Sequence, residues 1–148
     1  METQDIRVEV ARAADRELVD AFDRMLPQLS STAARLDLVA LDRILRCDAN
    51  TLLVARSGEA VVGTMTFVVF PVPSGLRARI EDVVVDHEAR GRGIAGLLTH
   101  EALRPAAEAG ARTVDLTSRP DRTAANRLYE RLGFKARGST VYRVPLKG

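Results

Sequence analysis

Cysteine occurs once in this 148-residue chain, at Cys47, which excludes an internal disulfide and most metal clusters. Histidine occurs only at His87 and His100, too few to build a histidine metal centre, and no metal is expected. Aromatics make up 4% of the residues, and no basic run is interleaved with them, which makes nucleic acid an unexpected partner. The longest apolar runs, around Phe67 to Phe70, fall well short of a bilayer span, so no membrane is expected as partner. The opening METQDIRVEV does not read as a charged, then apolar, then small-residue leader. A cytoplasmic protein is the expectation.

What is present is an average globular composition, 46% hydrophobic and 28% charged. The net charge of +2 is unevenly spread. Residues 1–74 carry 8 Arg against 11 acidic residues, net −3; residues 75–148 carry 12 Arg and 2 Lys against 9, net +5. A basic second half suits a phosphate-bearing ligand better than a long anionic polymer.

Residue patterning predicts a mixed fold. IRVEVA (Ile6 to Ala11) alternates as a half-buried strand does. Asp15 can cap a helix carrying Leu18, Val19, Phe22, Met25 and Leu26, which Pro27 should end or kink. A second helix follows around Leu36 to Ile44, with Cys47 read as a packing residue. TLLVAR and EAVVGTMTFVVF form a hairpin about Ser57-Gly58, and Pro71, Pro73, Ser74 and Gly75 open a loop. RARIEDVVVD is a strand, HEARGRG a turn, and Ile94 to Ala109 a helix bent at Pro105 and stopped by Gly110. TVDLT is a short strand, and Asp121 can cap a helix from about Arg122 to Leu132, stopped by Gly133. FKARG and TVYRVPL close the chain as two strands. The expected architecture is one α/β domain over residues 1–148, core about 6–146, with about six to seven strands in a mixed sheet and helices on both faces.

The most informative stretch is VVVDHEARGRGIAGLL. A valine strand passes through a basic, glycine-containing turn into an apolar helix. Glycines let backbone approach a ligand closely, and the first helical amides carry the positive end of the helix dipole. Arg90 and Arg92 add charge. No Gly-Lys-Ser/Thr ends the turn, and the glycine spacing is not that of the dinucleotide fingerprint.

Arg90-Gly91-Arg92-Gly93-Ile94-Ala95 resembles the Arg/Gln-x-x-Gly-x-Gly/Ala signature of the GNAT family of N-acetyltransferases. Val83-Val84-Val85 resembles the strand that pairs with the pantetheine arm in that family. About 30 residues downstream, Asn126-Arg127-Leu128-Tyr129-Glu130-Arg131-Leu132-Gly133-Phe134 is similar to its Asn-x-x-Tyr-x-x-x-Gly-Phe stretch. The resemblance implies a single-domain GNAT-like fold with acetyl-CoA as donor. It implies that amides from about Arg90 to Ala95 hold the pyrophosphate, that Val83 and Val85 bind the pantetheine amides, and that Asn126 reaches the cofactor.

Acyl transfer to an amine needs a neutral nucleophile, donors for the developing oxyanion and a proton for the leaving thiolate. The resemblance makes Tyr129 the acid, with packing as its alternative. Glu81 and Asp82 are the candidate bases; adjacent strand residues point to opposite faces, so one of them can face the substrate. Ile80-Glu81-Asp82-Val83 is similar to the glucosamine-phosphate acetyltransferase branch, where acidic residues in this strand lie on the substrate side. Glu81 is favoured and Asp82 second; the alternative for Glu81 is an ion pair with Arg79. Arg119 and Arg122 could hold a carboxylate or the cofactor 3′-phosphate, or lie at the surface, and the loop Phe70 to Arg77 would border the acceptor.

The expected function is transfer of acetyl from acetyl-CoA to a primary amine of a small-molecule or peptide acceptor through a ternary complex. The alternatives are a non-catalytic acyl-CoA sensor and an RNA- or protein-directed acetyltransferase. A homodimer is compatible with paired closing strands.

Overall fold

The computed structural model describes residues 5–147, which divide into two units, residues 5–117 and 118–147. The first unit is built on a five-stranded sheet in sequential order. Its strands are β1 (Ile6–Val10), β2 (Asn50–Ser57), β3 (Ala60–Val72), β4 (Gly75–Val85) and β5 (Val114–Asp115). The first four are antiparallel, and β5 joins β4 in parallel at Ala78↔Val114 and Arg79↔Asp115.

Three helices belong to this unit: α1 (Arg16–Leu29), α2 (Leu38–Arg46) and α3 (Ile94–Glu108). Asp15 caps α1 as expected, its carboxylate accepting from Leu18 N at 2.9 Å. Asp37 does the same for α2 through Ala40 N at 2.8 Å. Pro27 does not end α1, which runs to Leu29; two residues from the end, the ring interrupts little of the remaining ladder. Pro105 likewise lies within α3.

Period-two alternation divides the sheet into two faces. Leu52, Val54 and Val84 join Leu18, Val19 and Phe22 of α1 and Leu41 of α2 in one core cluster. Leu53, Ala55, Met65 and Phe67 alternate with these and are buried on the other face. There α3 presses close: a Cβ on Gly63 would stand 3.0 Å from Ile94 Cγ2 and 3.4 Å from Leu98 Cδ1. A side chain at position 63 would crowd Ile94 and Leu98, which would have to give way by a few tenths of an ångström.

Several expectations are corrected. The sheet has five strands in place of six or seven, because FKARG and TVYRVPL form no ladder among the described residues. Their own unit contains one helix, α4 (Thr123–Arg131), and no strand to pair with; Val141, Tyr142, Val144 and Leu146 are exposed. Phe70 to Arg77 is not an open loop: β3 and β4 stay paired to Val72↔Gly75, leaving Pro73 and Ser74 as a tight hairpin tip. Cys47 is exposed and ends α2, so it is not a packing residue. Asp121 does not cap α4; Arg122 stands at the cap and makes no side-chain cap bond. No helix among the described residues is long and apolar enough to cross a membrane.

Candidate active site

The turn between β4 and α3 is the first part of the site. His87–Ala89 form one 3-10 turn, after which Gly91 and Gly93 take φ of 84° and 76°. A Cβ at either glycine would meet nothing within 4 Å, so these positions need glycine for the left-handed backbone. Gly93 is the N-cap of α3 and offers no capping side chain. Leu97 N closes the first helical bond on Gly93 O at 3.1 Å, which leaves the amides of Ile94, Ala95 and Gly96 without intrahelical acceptors. Arg90 and Arg92 flank this end, with Arg92 Nη2 donating to Ser57 Oγ at 3.1 Å and Arg90 Nε reaching Val85 O at 3.4 Å.

A brace that the sequence reading did not identify holds the turn. Buried Asp86, directly after the valine run, accepts from Arg24 Nε of α1 at 2.8 Å and from Gln28 Nε2 at 3.4 Å. Gln28 Oε1 accepts from His87 N at 2.8 Å, and Arg24 Nη2 donates to Val61 O at 2.8 Å. The hydrogen bond from Arg24 holds the Asp86 carboxyl below the usual aspartate range. A polar residue closing an apolar strand was the available signal.

The second part is the edge of β4. Pairing with β5 stops at Arg79↔Asp115, so beyond it the outer edge of β4, through Val83, Val84 and Val85, has no neighbouring strand among the described residues. On the inner edge, Thr64 pairs with Val84 and Thr66 with Glu81, so Asp82 and Val83 together oppose Met65. This is a β-bulge. Asp82 adopts φ 53°, the one non-glycine residue with positive φ among those described. Aspartate tolerates that conformation better than most residues, yet the strain is real.

The bulge overturns the alternation argument applied to Glu81 and Asp82. Glu81 is exposed, and its Oε2 accepts from Arg79 Nε at 2.9 Å, while Arg79 also reaches Thr117 Oγ1 at 3.1 Å. Asp82, exposed as well, lines a cavity of about 210 Å³ beside Val84, Thr64 and Thr66. Partial burial, then the charge of Glu81, raises the Asp82 carboxyl above its ordinary pKa. The remaining walls come from α1 (Phe22, Leu26, Leu29), α2 (Leu41, Ile44), the segment between them (Ala33, Leu36) and Leu52 of β2. Thr64 is 1% exposed, and its Oγ1 has no hydrogen-bond partner among the described residues.

Asn126 and Tyr129 lie on α4 in the second unit. The Asn126 side chain holds the segment before its own helix: Oδ1 accepts from Ser118 Oγ at 2.6 Å, and Nδ2 donates to Arg119 O at 3.0 Å. Tyr129 is buried, meets Phe134 edge-on at 5.9 Å between ring centroids, and has its phenol pKa raised by burial, with Arg122 opposing. Gly133 follows with φ 103° and ends the helix.

Residues 16–134 match the Acetyltransferase (GNAT) family, and the chain belongs to that family. It is 36% identical over 93 residues to N-acetyltransferase 8B of Homo sapiens; the match takes in 62% of this chain and spans 41% of the length of that relative. A solved structure titled a transcriptional regulator, from Bacillus halodurans C-125, superposes with TM-score 0.79 at 29% identity, covering 93% of this chain and 99% of the other. The aminoglycoside N-acetyltransferase AAC(6')-Iy, solved in complex with CoA, shares the fold at TM-score 0.78 and 17% identity, covering 96% and 95% of the two chains.

Proposed function

We propose that this chain is an N-acetyltransferase that transfers the acetyl group of acetyl-CoA to a primary amine by direct attack in a ternary complex. The observation that carries the reading is the start of α3, where left-handed Gly93 offers no capping side chain to the first helical amides, directly after Arg90 and Arg92. Such an end favours a pyrophosphate through its amides and its dipole. The outer edge of β4 offers Val83, Val84 and Val85 to a pantetheine arm, as a further strand would be bound. Arg90, Gly91, Arg92, Gly93, Ile94 and Ala95 hold the phosphates in this reading, and the likeness of the Asn126–Phe134 stretch to the family motif supports Asn126 as a further cofactor contact.

Acetyl-CoA supplies an activated acetyl thioester. Asp82, rather than Glu81, serves as base, since it stands in the cavity wall while Glu81 is paired with Arg79. Its raised pKa moves it toward the range in which a carboxylate accepts protons well. Asp82 takes one proton from the bound ammonium, the freed nitrogen bonds the acetyl carbon, and as the C–S bond breaks Tyr129, assigned here from the family motif, gives a proton to the sulfur and recovers one from the new amide nitrogen. The backbone N–H of Val83 is the candidate donor to the acetyl oxygen as charge develops there. Holding both reactants together supplies much of the rate, so loss of the base reduces turnover without abolishing it.

The test is release of free thiol from acetyl-CoA in the presence of primary amines. The reading predicts amine-dependent release, with Tyr129→Phe lowering kcat more than acetyl-CoA affinity. Binding of acetyl-CoA without release for any amine supports the sensor alternative, and an unchanged rate in Tyr129→Phe removes that phenol from the chemistry.

A further inference from the structure

We infer that the acceptor is a primary amine carrying a single compact apolar group, an alkyl chain or one aromatic ring, and that polycationic and sugar amines are excluded. The inference rests on the acetyltransferase reading for the reaction, and on the cavity beside the β4 bulge for the substrate class. Three features of that cavity carry it.

The first is wall chemistry. Apart from Thr64, Thr66 and Asp82, the described lining residues are aliphatic or aromatic, and Asp82 is the one that ionises. One carboxylate matches one ammonium. A polyamine or amino sugar would place further charges or hydroxyls against Phe22, Leu36 and Ile44, where nothing replaces their hydration.

The second is size. An apolar cavity of about 150 Å³ accommodates a benzene ring. The 210 Å³ here fits a ring or a branched alkyl group with a short linker to the nitrogen, and no disaccharide-sized body.

The third is polarity along its length. Asp82 is solvent-accessible, whereas Leu41 is fully buried and Leu52 is 3% exposed. The ammonium therefore sits at the strand bulge and the carbon body points inward. Thr64, buried and with its hydroxyl unpartnered among the described residues, adds one hydrogen-bonding group in that wall. Ala33, exposed in the segment between α1 and α2, stands at the mouth.

The experiment compares initial rates with acetyl-CoA for n-propyl-, n-butyl-, n-pentyl- and n-hexylamine and 2-phenylethylamine against spermidine, glucosamine and kanamycin. Burial of one methylene is worth a factor of about four. The expected result is a rise in kcat/KM of about fourfold per added carbon until the cavity is full, with spermidine, glucosamine and kanamycin at least about tenfold below hexylamine. Ala33→Phe should raise KM for 2-phenylethylamine far more than for propylamine. A flat alkyl series, or preference for spermidine or an amino sugar, overturns the inference and leaves the acetyltransferase reading intact. Calorimetry of hexylamine and spermidine with the protein, run without acetyl-CoA, separates the two claims. Selective hexylamine binding weakened by Ala33→Phe, with no thiol release, keeps the ligand class and removes the enzymatic reading; equal or absent binding of both amines, together with no release, removes both.

Discussion

The two faces of the five-stranded sheet solve the same packing problem differently. On the α3 face, Gly63 lets the helix approach until Ile94 and Leu98 fill the space, and Met65 and Leu98 are fully buried. On the α1 and α2 face, the same strands leave a cavity, an unpartnered hydroxyl at Thr64 and a strained acidic residue at Asp82. Incomplete packing and backbone strain lower stability, and they persist where the surrounding structure fixes them for another purpose. The closed face carries the fold, and the open face is where the proposed chemistry would lie.

Mutations can separate these roles. The largest effect belongs to the closed face: Leu98→Ala should lose about 3–4 kcal/mol in urea unfolding, with kcat/KM of the folded fraction little changed. Leu36→Ala on the open face, at a partly exposed position, should lose less than about 1 kcal/mol while raising the KM for the acceptor. Equal stability losses from the two substitutions would erase the distinction. Next is Asp82→Gly, which removes the carboxylate and suits the left-handed backbone. It should unfold at the same or a higher urea concentration than the parent, yet lower kcat by about a hundredfold. A full loss of fold, or an unaltered kcat, would return Asp82 to a structural role.

Smaller effects sharpen the contrast. Thr64→Val removes a buried polar group without a partner and should stabilise the protein by about 1 kcal/mol, measured by urea unfolding. No gain in stability would mean the hydroxyl is satisfied in solution. The pH dependence is the subtlest. Because hydrogen bonding from Arg24 depresses the Asp86 carboxyl, its contribution is fully present above the unfolded value of about 3.9 and is lost as pH falls through the lower folded value. Asp86→Asn should therefore be less stable than the parent at neutral pH, the difference shrinking as acid is added. The raised Asp82 carboxyl should place the acid limb of kcat above the ordinary aspartate range, and that limb should vanish in Asp82→Asn.

Local signals were legible in the sequence because they act over a few residues. Asp15 at the α1 cap, Gly110 after α3 and Gly133 after α4 each do what their neighbours require. The turn from Arg90 to Ala95 was legible for the same reason, and its two glycines adopt the positive φ that only their identity allows freely. The different surroundings of Glu81 and Asp82 were not, since they depend on β3 register: one extra residue opposite Met65 defeats alternation. The cavity was illegible too, because residues from Phe22 to Val84 meet in it only after the strands have paired. Alternation in FKARG and TVYRVPL was read as two strands, but periodicity describes a segment and cannot supply its partner.

The proposed grip of the Val83–Ala95 stretch on acetyl-CoA carries the acetyltransferase reading, and isothermal titration addresses it directly. Acetyl-CoA and S-acetylpantetheine, which lacks the pyrophosphate, would be titrated separately into the protein. The account predicts one saturable site for acetyl-CoA and binding at least tenfold weaker for the truncated thioester, about 1.4 kcal/mol. No heat with acetyl-CoA, or equal affinity for both, would contradict it.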